Sequence, residues 1–213
     1  MKKRTIADLI LNILIVIFTV IGLISMLSNN SSGQGMLQSA GFKNLKYFTV
    51  LSNLCCGAVS LIYLITYAMN RRSSGWLDSL RLMMACAVAI TFSVVAFMFG
   101  PLYGYSKMYL GSNLEFHLIV PVLAMIDICI TEISVPFVTN LYSGIPEFVY
   151  GTGYVINIMV NGKGEWPKTN DFYGFMNWGY GVAAVIFVGI IVLAIVFSVV
   201  FWRINRRITH ISA

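Results

Sequence analysis

Thr49 and His117 are the two side chains whose types suit nucleophilic chemistry in an otherwise apolar setting. A hydroxyl becomes a competent nucleophile when a base takes its proton. An imidazole is the base whose ordinary pKa fits that work near neutral pH. The sequence has two histidines, and His210 falls in the polar tail. His117 lies about one turn inside an apolar block. Ser52 and Asn53 follow Thr49 at three and four residues, which puts all three on one helix face. Asn53 has an amide that could donate to a developing oxyanion. Lys43 and Lys46 lie just ahead of Thr49, placed to meet a carboxylate or to anchor at an interface. In a bilayer a hydroxyl, hydroxyl, amide stripe should face a cavity or another helix and not lipid.

The elements that hold these residues follow from composition. Of 213 residues, 58% are hydrophobic and 10% charged, and mean hydropathy is +0.82. A soluble domain carries about 25% charged residues. These values exclude a disordered chain and a nucleic-acid binder, and argue against a soluble enzyme. The net charge of +6 comes from basic residues at the ends of apolar blocks. That placement is what membrane topology requires.

The apolar blocks predict an all-α polytopic membrane protein, one domain over residues 1–213. Six membrane-spanning helices are expected, near Ile6–Leu27, Phe48–Met69, Leu80–Phe99, Glu115–Val135, Ile145–Val160 and Trp178–Trp202. The third is expected to stop at Gly100-Pro101 and the fourth near Pro136. The fifth is short, holds Pro146, Gly151 and Gly153, and reads as kinked or partly re-entrant. With the N-terminus inside, inner segments hold nine Lys and Arg, Arg81 among them, against five outside, so both termini are expected in the cytoplasm. The short loops suit a bacterial plasma membrane. Long polar loops are expected over Ser28–Tyr47 and Asn161–Asn177, the first with sequons at Asn29 and Asn30.

In this topology the second and fourth helices run in the same direction, and Thr49 and His117 fall at nearly the same depth. They would meet if the helices are neighbours. Other polar residues within the blocks are Glu115, Asp127, Glu132 and Asn157, with Asp8 at the start of the first helix. Asp127 lies about 15 Å along the axis from His117, too far to orient the imidazole, so a Ser-His-Asp type triad is not supported. It is expected to pair with a buried donor or to be protonated. Four cysteines lie in apolar blocks with no CxxC pair, as small buried side chains do. One membrane histidine and scattered carboxylates give no metal site, and no cofactor motif is present.

The runs Lys46-Tyr47-Phe48-Thr49-Val50-Leu51-Ser52-Asn53 and Glu115-Phe116-His117-Leu118-Ile119-Val120-Pro121 resemble those of small six-helix bacterial membrane proteins. These in turn resemble the androgen-induced and androgen-dependent multipass proteins of animals. That resemblance implies a threonine hydrolase of fatty acid esters of hydroxy fatty acids, with an intramembrane Thr–His pair. Carried onto this chain, the pair is Thr49 and His117, with Asn53 in the same aromatic-Thr-x-x-x-Asn pattern. Glu115 and Phe116 stand where the animal proteins tend to have polar and His-rich neighbours. The implied partner is a lipid or fatty acyl ester within the membrane.

Two rival readings remain. Six helices in this length also suit the non-catalytic substrate-binding subunit of a vitamin transporter, which docks its partner through small residues on the first helix; here that helix is bulky. A structural protein with no ligand would show no cavity between Thr49 and His117.

Overall fold

The computed structural model describes residues 3–28, 41–69, 74–165 and 168–209; the two expected sequons, most of the loop holding them, and His210 lie outside these. The described residues form helices and no strands. The main helices are α1 (Lys3–Ser28), α2 (Phe48–Ala68) and α3 (Gly75–Tyr103). After the short α4 (Tyr105–Met108) come α5 (Ser112–Ile130), the short α6 (Thr139–Tyr142), α7 (Ile145–Asn161) and α8 (Tyr180–Thr209). Turns of 3-10 helix precede α2 (Gly41–Lys46) and α8 (Phe175–Trp178).

Polarity in this bundle is inside out. On α1 the residues Ile6, Ile10, Ile13, Ile17, Ile21 and Ile24 recur at helical spacing and are exposed, while Asp8, Asn12, Ile15 and Thr19 on the opposite face are buried. A water-facing helix would reverse that arrangement. An exposed apolar ridge over a buried polar one is the pattern of a helix solvated by lipid. Five helices (α1, α2, α3, α5 and α8) are long and apolar enough to cross a membrane. The expected fifth span, α7, has 17 residues and falls short of that length.

The end of the bundle bearing Tyr47, His117 and Trp178 is called upper here, and the end bearing Asp8, Arg81 and Arg206 lower. The core between α1, α2, α3, α5 and α8 includes Ile15, Leu82, Cys86, Val88, Val120, Ile128 and Phe201. A buried ion cluster crosses its lower end. Arg81 Nη2 donates to Asp8 Oδ1 at 2.6 Å and to Asp127 Oδ2 at 2.7 Å. Asn12 donates to Asp8 Oδ1 and Asp127 Oδ1, and the Tyr63 hydroxyl donates to Asp8 Oδ2. Four helices, α1, α2, α3 and α5, are thus joined through one guanidinium. Arg81 is therefore a buried core residue of α3 rather than a loop charge, and it is the donor that Asp127 was expected to need.

The fourth expected helix ends early. α5 stops at Ile130, where Thr131 turns extended (ψ 152°). The chain then runs unwound through Val138, tied to α8 by Asn205 Nδ2 on the carbonyls of Ile128 and Thr131 (2.8 and 2.6 Å) and by Trp202 Nε1 on that of Val135 (3.3 Å). Glu132, expected within the helix, lies in this stretch and is exposed. Ser198 on α8 donates to Asn140 Oδ1 and accepts from Ser143, so the climb toward α7 is fixed to α8 by hydroxyls.

This explains why α7 is short. A Cβ on Gly144 would meet Ile191 Cγ2 at 2.7 Å. Ile191 lies eleven residues along α8 from Tyr180, about 16 Å below its upper end. Helix α7 therefore begins about halfway up the bundle. It packs tightly on α8 because Gly151 has no side chain: a Cβ there would lie 1.9 Å from Phe187 Cε2. Gly153 has open space instead, so only the first glycine of the pair serves packing.

Candidate functional site

A cavity of about 1100 Å³ occupies the upper half of the bundle, and Thr49, Thr91, His117, Glu147, Tyr150 and Phe187 are among its lining residues. Two helices bulge where they line it. Residues Val95–Phe99 of α3 and Glu115–Ile119 of α5 are single π-helical turns. Pro101 and Pro121 follow them. A proline has no N–H for the carbonyl four residues earlier, and its ring crowds that carbonyl. Those carbonyls belong to Phe97 and His117, each at the centre of its bulge. A π turn relieves the crowding by shifting the pairing one residue. Gly100-Pro101 therefore widens the third helix locally instead of ending it, and α3 continues to Tyr103.

The bulge and the connection above it set the state of His117. Gly104, at φ +90°, reverses the chain into α4, whose last residue is Met108. His117 Nδ1 lies 2.8 Å from the Met108 carbonyl oxygen. A carbonyl only accepts, so Nδ1 carries the hydrogen. In the neutral ring Nε2 then holds the lone pair, as a general base requires. Met108 thereby holds this imidazole as the carboxylate holds the histidine of a Ser-His-Asp triad.

Thr49 occupies the first turn of α2 and borders the same cavity. Among the described residues its hydroxyl has no hydrogen-bond partner. No hydrogen bond joins it to His117. The two helices are held in register by Asn53, which is fully buried. Its Nδ2 donates to the Thr49 carbonyl at 2.7 Å and to the Phe116 carbonyl at 2.9 Å. One amide thus ties the residue that bears the hydroxyl to the neighbour of the imidazole.

The sequence placed Ser52, Asn53 and Lys46 in the substrate site, and the structure sets all three outside the cavity lining. Asn53 is committed to backbone carbonyls. Ser52 is buried, donates to the Thr49 carbonyl at 3.2 Å and lies 3.5 Å from the Thr91 hydroxyl. Lys46 is exposed above the bundle, its ammonium 5.1 Å from the Tyr47 ring centre and 4.7 Å from that of Phe172. Partial burial and the neighbouring Lys43 lower its pKa from the ordinary lysine value.

The chain matches no known protein family, no curated protein and no solved structure.

The upper rim is aromatic. The segment Asn170–Trp178 folds back over α7, with Tyr47, Tyr154, Phe172, Tyr173 and Phe175 in edge and stacked contacts. Asp171 anchors it, accepting from the Tyr154 hydroxyl and from the Met176 N–H at 3.0 Å. Tyr173 accepts from the Phe48 N–H at 2.9 Å, an otherwise open donor at the start of α2. Burial pushes the Tyr173 phenol up to about 12, so it remains a neutral hydrogen-bonding group. The long polar loop expected over Asn161–Asn177 is thus partly a packed roof.

Two residues carry little signal in the sequence. Arg81 stands near the start of its apolar block and reads there as a loop charge. Glu147 is the one acidic residue between Ile145 and Val160, and no motif surrounds it. It is 3% exposed, and among the described residues neither of its carboxyl oxygens has a partner outside its own residue.

Proposed function

We propose that this chain is an intramembrane lipid-ester hydrolase with Thr49 as nucleophile and His117 as base. The observation that carries the reading is the His117 tautomer: Nδ1 is held by the Met108 carbonyl, which leaves Nε2 as the basic nitrogen in a cavity that Thr49 also lines. A resting site often has longer distances than the loaded one, so the missing Thr49–His117 hydrogen bond is compatible with this role.

In this mechanism a fatty acyl ester enters the cavity with its carbonyl beside Thr49. His117 Nε2 takes the Thr49 proton as the hydroxyl oxygen attacks the carbonyl carbon. The tetrahedral intermediate collapses, the C–O bond to the leaving alcohol breaks, and His117 returns the proton to that alcohol. Water then attacks the Thr49 acyl ester, His117 again accepts a proton, and the acid leaves as Thr49 recovers its hydrogen. The apolar walls between α3, α7 and α8 take the acyl chain. Esters of hydroxy fatty acids are the substrate class that the sequence resemblance suggests.

We read α7 together with its unwound lead-in as the sixth crossing, which puts both termini on the cytoplasmic side and the cavity mouth toward the outside. A bacterial plasma membrane is the proposed location. Purified protein should hydrolyse a fluorogenic long-chain ester. Thr49→Ala and His117→Ala should each lower kcat by about 10³-fold or more while the protein still folds, with Tm unchanged in Thr49→Ala. Full activity in either variant overturns the mechanism.

A further inference from the structure

The cavity has a second polar pole, away from Thr49 and His117. Glu147 sits in the first turn of α7, which begins halfway up the bundle, and so borders the deep part of the cavity. Among the described residues it is the only carboxyl in the lining, and no ion pair reaches it. Lys107, the cationic side chain in the lining, belongs to the upper part.

An unpartnered carboxyl in an apolar interior is unfavourable whether ionised or neutral. A structure retains such a group without cost to function when a ligand completes it. Of the aromatic lining, Phe187 stands nearest, against Gly151 one turn above Glu147, and Tyr150, Tyr173, Trp178 and Tyr180 line the cavity toward its rim. Aromatic faces attract organic cations, and more strongly away from water. A lone carboxyl below aromatic walls is the combination that selects a protonated amine with an apolar body. A hydroxyl would donate one hydrogen bond and leave the charge unmatched, and a carboxylate would be repelled.

We propose that Glu147 is the deep anchor of a binding site for hydrophobic amines, with the ammonium N–H donating to the Glu147 carboxylate and the apolar body lying along the aromatic walls. The site needs the cavity and Glu147 alone, and it stands whether or not Thr49 cleaves an ester.

The test uses the full-length protein in lipid nanodiscs, with octylamine, octanol and octanoate as probes and tryptophan fluorescence as readout, since Trp178 lines the cavity. Octylamine should bind at least tenfold more tightly than octanol or octanoate. Glu147→Gln should remove that preference while octanol binding is unchanged. Equal binding of amine and alcohol by the unmutated protein, or an amine preference surviving in Glu147→Gln, overturns the proposal. A second measurement needs no variant. Dicyclohexylcarbodiimide, which modifies carboxyls in apolar surroundings, should label Glu147, and octylamine should protect it. Absence of labelling, or labelling undiminished by octylamine, also overturns the proposal. Ester hydrolysis by the same preparation is scored separately, so loss of either reading leaves the other standing.

Discussion

The two polar regions of this bundle are built on opposite plans. At the lower end all four carboxylate oxygens of Asp8 and Asp127 accept hydrogen bonds, and one guanidinium spans both acids. The Arg81 guanidinium also lies 4.2 Å from the Tyr63 ring centre. In the upper half, among the described residues, the Thr49 hydroxyl and the Glu147 carboxyl have no side-chain partner, and both residues border a cavity. Satisfied polar groups hold helices together. Unsatisfied ones around a cavity are open to a ligand that enters, although Asn12 Oδ1 and Arg81 Nε are also without a partner among the described residues. The same residue types thus tie helices together in one place and, on the reading proposed here, meet a ligand in the other.

The most severe way to break this contrast is to remove the guanidinium. Arg81→Met should cost about 3–5 kcal/mol, because it strands the buried carboxylates of Asp8 and Asp127 and removes the weaker pair with Asp78 at 3.8 Å. Thermal unfolding in detergent measures it. Adding Asp8→Asn and Asp127→Asn to that variant should recover a large part of the loss, and no recovery would show that Arg81 acts through packing alone. Next comes the Asn53 clamp. Asn53→Leu should cost about 1–3 kcal/mol, since two buried carbonyls lose a donor, and it should lower ester turnover by shifting α2 against the π turn. A stability loss without a turnover loss would separate the clamp from the site. Gly151→Ala should cost about 1–3 kcal/mol through the clash with Phe187, read as a lower Tm. At the cavity the sign reverses. Glu147→Leu should raise stability by about 1 kcal/mol, because an unpartnered buried polar group is removed. A lowered Tm there would show that Glu147 belongs with the lower cluster in kind. Thr49→Val is the smallest effect, within about 0.5 kcal/mol, even as turnover vanishes.

The helices were legible because lipid solvation requires long apolar runs, and five of them stand within a few residues of where composition put them. What was not legible came from residues acting at a distance. Pro101 looked like a stop because its local effect is to break pairing, but the π turn over Val95–Phe99 absorbs that break. The end of α5 at Ile130 depends on Asn205, 75 residues later, offering its amide to the terminal carbonyls. Thr49 and His117 could be placed at one depth from helix counting alone, and they do border one cavity. Their common wall rests on Asn53 reaching the Phe116 carbonyl, a contact no spacing rule provides. Ser52 illustrates the limit of face arguments: three residues share a helix face, yet only Thr49 borders the cavity, because the deeper two meet α3 and α5.

The halfway start of α7 fixes how traffic through the cavity must run. Below the level of Gly144 the space belongs to the unwound strand and the packed core of Leu82, Cys86, Ile133 and Phe201. The chamber is closed at its lower end, and the aromatic rim lies at its upper one. On the proposed hydrolase reading, a released long-chain acid has no way out below Gly144 and has to depart through the upper half of the bundle.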